Sequence, residues 1–275
     1  MRLKSAVQNK KMKKFLAIVA LVVFFSSCNE YQRALKSEDI AVKFAKATKL
    51  YDAGKYSKAI RLFEQIAPLY KGKPQAEKMF YQYAQSLYKT NQFYLAGYQF
   101  ESFASSYPKS EKMEEASFLG AKCFSKLSPS YSLDQVDTYK AIDKLQAFID
   151  KYPESTYLAE ANVMVKVLRE KLEKKFFEIA KQYNTIEDYK ASLIALDNFI
   201  INFPGTPYKE NALYYKLDSS YNLAINSIPS KVEERLNVAK IAYNSLIKFN
   251  ANTEYKKKAD EMLARIENDL KQFSK

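Results

Sequence analysis

Histidine and tryptophan are absent from the 275 residues, and only two cysteines, five glycines and eight prolines are present. Without an imidazole there is no Ser-His-Asp or Cys-His catalysis, no imidazole proton shuttle and no histidine-ligated metal. Cys28 and Cys123 alone build neither a disulfide framework nor a four-thiolate zinc site. So few glycines leave no room for GxGxxG or a P-loop, and neither motif occurs. These shortages argue against an enzyme and against a bound cofactor or metal. What is abundant is aromatic: 22 Tyr and 18 Phe in a chain that is 47% hydrophobic. That balance points to packed helices rather than a loop-rich or doubly wound sheet protein.

The formal charge is +13, but residues 1–27 hold six cations and no acid, which leaves +7 for the remainder. The 31 acids are interspersed along that remainder, and no basic stripe or aromatic RNP-like motif stands out. A nucleic-acid partner is not expected.

Lys13-Lys14 precede eleven apolar residues, Phe15 to Phe25, and then Ser26-Ser27-Cys28. The apolar run is about half as long as a membrane-spanning helix requires, and fits the hydrophobic stretch of a signal peptide. Translation from Met1 or from Met12 yields a complete signal. Phe25-Ser-Ser-Cys28 resembles the bacterial lipobox, in which the cysteine thiol takes a diacylglycerol and becomes the first mature residue. The expectation is a signal peptide over 1–27 and a lipidated terminus with a short tether over 28–37. The rest, 38–275, would sit in water beside a membrane.

The body repeats itself. Phe80, Tyr83, Ala84 and Leu87 mark one helix; Ala96, Phe100, Phe103 and Pro108 mark a second, with Asn91-Gln92 as the turn. Apolar residues at i, i+3, i+4 and i+7 make one stripe on each helix, and Ala84 and Ala96 sit where the pair approaches most closely. This unit resembles the tetratricopeptide repeat, with Phe103 where that family prefers a small residue. The second-helix pattern recurs from Ala59 through Phe63 to Tyr70, and then from Ala141, Ser192 and Ala239. Ala47 holds the first-helix position of the first unit. The resemblance implies an all-α, right-handed superhelix of about five helix pairs, near 38–73, 74–109, 110–154, 155–205 and 206–252. A charged capping helix over 254–273 would close its last apolar face. Tyr107-Pro-Lys-Ser110, Tyr152-Pro-Glu-Ser155 and Phe203-Pro-Gly-Thr206 each end a unit with proline and offer a hydroxyl to cap the next helix. Ser128 to Thr138 reads as a polar loop inside the third unit, and Cys123 as a packing residue.

Glu114-Glu115 and Glu233-Glu234 are adjacent pairs, which do not face each other on a helix. They read as solvated faces, and Asp134 and Asp137 lack the further oxygens a cation needs. The constellation that remains is aromatic. In repeats of this type, first-helix residues off the packing stripe line the concave face. That nominates Phe44, Thr48 and Tyr51 from unit one, Tyr81, Gln85, Tyr88 and Lys89 from unit two, and Ser117 and Phe124 from unit three. Aromatic, amide and hydroxyl groups side by side suit an extended peptide with aromatic side chains. The same residues also suit a tightly wound core, and both readings stand at this point.

A lipobox, a linker, five such repeats and aromatic-Pro-x-Ser/Thr unit ends, in this order, resemble the BamD family. Tyr56-Ser-Lys-Ala-Ile60 with Phe63, and Phe148-Ile-Asp-Lys-Tyr-Pro-Glu-Ser-Thr-Tyr157, carry the likeness, which runs from Cys28 to about Phe273. The family comprises lipoproteins of the outer-membrane β-barrel assembly machinery. The resemblance implies a non-enzymatic, periplasm-facing outer-membrane scaffold. Its C-terminal repeats would bind a BamA-like barrel subunit, and its N-terminal repeats the aromatic C-terminal signal of unfolded outer-membrane proteins. The alternative is another tetratricopeptide cell-envelope lipoprotein, serving peptidoglycan or envelope coordination or nutrient capture. The long fourth unit and the poorly matched linker leave the barrel-contact residues unassigned.

Overall fold

A computed structural model describes residues 30–273, all of whose regular elements are helices. Residues 1–29, which include the expected signal and Cys28, and residues 274–275 lie outside the described residues. The chain forms two compact units. One comprises the residues up to Leu127 with Lys144–Ala161, the other Ser128–Asp143 with the residues from Asn162 onward.

The first unit contains α1 (30–36), α2 (Ile40–Asp52), α3 (Tyr56–Tyr70), α4 (Ala76–Lys89), α5 (Phe93–Ser106) and α6 (Met113–Leu127). From α2 onward, each of these helices packs on the next in the chain. Residues 30–36, expected as tether, are helical, and Tyr31 and Ala34 are buried in the same core as Phe44 and Phe63. Tyr31, Ala34 and Leu35 follow the i, i+3, i+4 spacing that places apolar groups on one face. Asp39 caps α2 by accepting a 2.8 Å bond from the Ala41 amide.

α7 (Val136–Lys151) and α8 (Leu158–Thr185) contribute to both units. The second unit continues through α9 (Tyr189–Asn202), α10 (Lys209–Ile225), α11 (Pro229–Phe249) and α12 (Lys256–Leu270), with a 3-10 turn at Lys271–Phe273. α10 packs on α9, α11 and α12, so α12 covers the end of the second core. The third-repeat loop is shorter than expected, because α7 already begins at Val136. Gln135 closes that loop by donating to the Ser130 and Leu133 carbonyls.

Each second helix is built on one spacing. A fully buried small residue (Ala59, Ala96, Ala141, Ser192, Ala239) is followed seven residues later by Ile66, Phe103, Phe148, Phe199 and Leu246, all buried. Phe103 is accommodated although large, packed 5.4 Å from the Tyr81 ring and 5.2 Å from the Tyr107 ring. α5 and α6 meet at glycines: a Cβ at Gly97 would lie 3.2 Å from the Phe124 ring and 3.3 Å from Cys123 Cβ. Burial in that contact pushes the Cys123 thiol up to about 12, so it stays protonated. Two tight turns place a non-glycine residue in the left-handed region, Asn91 between α4 and α5 and Glu187 between α8 and α9.

Candidate functional site

The unit ends share one device. Ser110, Ser155, Thr206 and Thr253 each accept a bond from the amide two residues on, at 3.0, 3.1, 3.3 and 3.2 Å. The following helices start three residues after the hydroxyl, so it closes a turn ahead of the helix rather than capping it. The same hydroxyls reach back. Ser110 Oγ donates to Glu77 and Ser155 Oγ to Glu114, both at 2.6 Å, which ties the end of a repeat to the first turn of its own first helix. Pro108, expected among the packing residues, is exposed in such a turn. Its ring ends α5 through backbone geometry and fills no core space.

The residue two after the hydroxyl is Tyr157, Tyr208 or Tyr255 in three of these turns, and each lies flat on an aromatic ring of the preceding first helix. Tyr157 stacks on Phe118 (4.6 Å, 12°), Tyr208 on Phe177 (5.6 Å, 8°) and Tyr255 on Tyr214 (4.0 Å, 10°). Phe118, Phe177 and Tyr214 stand three residues before Ala121, Ala180 and Leu217, as Tyr81 stands before Ala84. Tyr81 is therefore the same position in the second repeat. Its covering residue, two after Ser110, is not tyrosine but Lys112.

Lys112 holds its ammonium 5.6 Å from the centre of the Tyr81 ring and pairs with Glu115 at 3.0 Å. Where the other three turns supply a ring, a cavity of about 480 Å³ opens here, lined by Tyr51, Pro74, Gln75, Lys78, Tyr81, Gln82, Phe103 and Lys112 among others. Its floor is aromatic and its rim carries amides, the amines of Lys78 and Lys112, and the Glu77 carboxylate. Gln85 donates to the Tyr81 hydroxyl at 2.9 Å, and Thr48 donates to Gln82 at 3.0 Å. Burial, reinforced by the Glu115 carboxylate, holds the Tyr81 phenol well above its usual range. Tyr51 is raised by burial, then by Tyr56, Asp52 and Glu115. Both rings stay neutral at any physiological pH, so the cavity offers ring faces and hydrogen bonds rather than phenolates.

The nominated groove residues separate accordingly. Tyr51 and Tyr81 line the cavity directly, and Thr48 and Gln85 support it through Gln82 and Tyr81. Tyr88 shares the helix face of Tyr81, yet its ring packs on Phe93 (5.8 Å) and Phe100 (6.4 Å) and does not line the cavity. Phe44 is buried against Tyr70, and Phe124 lies under Gly97. Lys89 is exposed at the end of α4, and Ser117 donates to the Met113 carbonyl. Ala47, Ala59, Phe63, Ala84, Ala96 and Phe100 are all fully buried, as packing residues are. Gln82, Phe103 and Lys112 were not among the groove nominees. The signal for Lys112 is present in the sequence, as the one departure from tyrosine in Pro-x-Ser/Thr-x-Tyr.

Among the described residues, no group of three or more His, Cys, Asp or Glu side chains is placed to hold a metal ion. No described helix is long and apolar enough to cross a membrane.

The chain is 25% identical over 195 residues to the outer membrane protein assembly factor BamD of Rickettsia prowazekii, covering 70% of this chain and 76% of that one. It is 21% identical over 193 residues to the protein of the same name from Caulobacter vibrioides, covering 70% of this chain and 62% of that one. Residues 37–236, which hold the cavity and all three stacked first-helix rings, match the family YfiO, described as outer membrane lipoprotein. The chain belongs to the YfiO family of outer-membrane lipoproteins.

Proposed function

We propose that the protein is a non-enzymatic scaffold of outer-membrane β-barrel assembly, held on the periplasmic side of the outer membrane by a lipid on Cys28. Its first unit takes the aromatic C-terminal signal of unfolded barrel proteins, and its later repeats dock a BamA-like barrel subunit. The name carried by both relatives, outer membrane protein assembly factor, supports the general role. The observation that carries the peptide reading is the ring slot over Tyr81, filled by the chain's own tyrosine at three equivalent places and left open here. A ligand ring entering it would lie on Tyr81 beside Phe103, with the Lys112 and Lys78 ammoniums at the rim for a terminal carboxylate.

The test is titration of a peptide ending in phenylalanine against the mature protein. Each aromatic pair contributes about 0.5–1.5 kcal/mol beyond area burial, so Tyr81→Ala should weaken binding on the order of tenfold. Unchanged affinity in a folded variant would return Tyr81 to packing. Affinity purification from solubilised outer membranes should recover a BamA-like barrel, and mass spectrometry of the mature N-terminus should find acylated Cys28. An unmodified start elsewhere would remove the anchor.

A further inference from the structure

α1 and α2 enclose a shallow trough lined by Glu30, Arg33, Ala34, Ser37, Val42, Ala45, Lys46 and Lys49. Three of these residues are cations and one is an acid. Glu30 is already committed to Lys46 at 2.7 Å. Arg33 and Lys49 have no ion-pair partner within 4.0 Å among the described residues. α2 carries Lys43, Lys46 and Lys49 and no acid before Asp52. The Glu30 carboxyl is held below its usual range by Lys46 first, and also by Lys49 and Arg33, which act on it at longer range. The trough is a local positive field with an exposed apolar residue, Val42, on its wall.

The position of this field in the chain gives it an occupant. Only Asn29 separates Glu30, a wall of the trough, from Cys28. Two residue steps of chain reach at most about 7 Å. That is shorter than the screening length of about 8 Å at physiological ionic strength. Resting on the reading that Cys28 carries the lipid anchor, we infer that the α1–α2 trough sits on the phosphate headgroups of the anchoring membrane. Arg33 and Lys49 contact anionic phospholipid there. The burial of Tyr31 and Ala34 fixes α1 on the first core, so the contact would orient that unit on the membrane rather than leave it on a loose tether.

The experiment is sedimentation of the mature chain carrying Cys28→Ser with phosphatidylcholine vesicles, with and without phosphatidylglycerol. Residues 30–273 contain all the packing described above, so the unlipidated chain is a fair probe of the trough alone. Binding should require phosphatidylglycerol. Arg33→Glu/Lys49→Glu keeps the Glu30–Lys46 pair and should weaken binding on the order of twenty-fold or more, since each cation near an anionic surface contributes a factor of about five. Lys257→Glu/Lys258→Glu makes the same charge change on two exposed residues of α12 and should weaken it less than threefold. Circular dichroism would confirm that both variants are folded. Equal loss in the two variants, or binding indifferent to phosphatidylglycerol, overturns the trough even if Cys28 proves acylated. Phosphatidylglycerol-dependent binding lost only with Arg33 and Lys49 supports it, even if Cys28 proves unmodified and the anchor falls.

Discussion

Lys112→Tyr should make the protein more stable and a worse binder at once. The substitution gives the second repeat the ring that Tyr157, Tyr208 and Tyr255 provide elsewhere. Stacking on Tyr81 contributes about 0.5–1.5 kcal/mol beyond the area covered. Covering a further ~50 Å² of apolar surface contributes about 1 kcal/mol. Against this stand the Lys112–Glu115 pair, between side chains 54% and 28% exposed, and the amine over Tyr81. The exposed ion pair is worth about 0.3–0.5 kcal/mol and the cation–ring contact about 0.5–1 kcal/mol. The balance is a gain of about 1 kcal/mol, or a rise of roughly 2–4 °C in melting temperature for a domain of this size. A ligand ring excluded from the slot loses its own stacking and burial, about 2–4 kcal/mol together, so affinity should fall on the order of a hundredfold. Thermal unfolding by circular dichroism and calorimetric titration of a phenylalanine-terminated peptide read the two effects separately. A stabilised variant that binds like wild type would show that the slot is not the peptide site. A destabilised variant would refute the equivalence of position 112 with the three tyrosines.

Tyr255→Ala should cost about 2 kcal/mol, since the ring stacks on Tyr214 at 4.0 Å and its hydroxyl accepts from Asn211 at 2.6 Å. Lys112→Ala at the equivalent position should cost only about 1 kcal/mol, the exposed ion pair and the cation–ring contact together, and equal losses for the two variants in urea unfolding would contradict the pattern. Ala96→Leu should cost about 1–3 kcal/mol by overpacking a fully buried position beside Gly97, and an unfolding midpoint like wild type would mean the helix contact is misplaced. The Glu210 carboxyl is held below its usual value near 4.5 by hydrogen bonds from Thr253 and Asn250. A carboxyl depressed in the folded state stabilises above its unfolded value and loses that contribution as pH falls through the folded one. Wild type should therefore lose melting temperature more steeply below about pH 4.5 than Glu210→Gln; parallel profiles would rule the contact out.

Most of the helices are legible in the order of residues because burial on a helix demands apolar groups at 3.6-residue spacing. The recurrence from Ala59, Ala96, Ala141, Ser192 and Ala239 shows that spacing without any structure. The unit ends before Pro108, Pro153 and Pro204 are equally local, since a proline pushes the residue before it away from helical backbone, although Pro68 is carried inside α3. α1 is harder to read. One turn with Tyr31, Ala34 and Leu35 has too few residues to hold a helix alone, and becomes one by docking on a core built from α2 and α3.

The candidate site divides in the same way. Helical periodicity places Tyr81 and Tyr88 on one face two turns apart, and that much is a property of the sequence. Which ring is left with an open side depends on what the neighbouring helices and turns bring against it. Phe93 and Phe100 enclose Tyr88, whereas Tyr81 meets Lys112, a residue of the turn before α6. Local spacing determined the repeats and their stops; the cavity over Tyr81 and the trough beside Glu30 came only from folding. The physical reason is that a helix face is set by backbone geometry within one segment, while an unfilled space is set by the side chains that distant segments fail to supply.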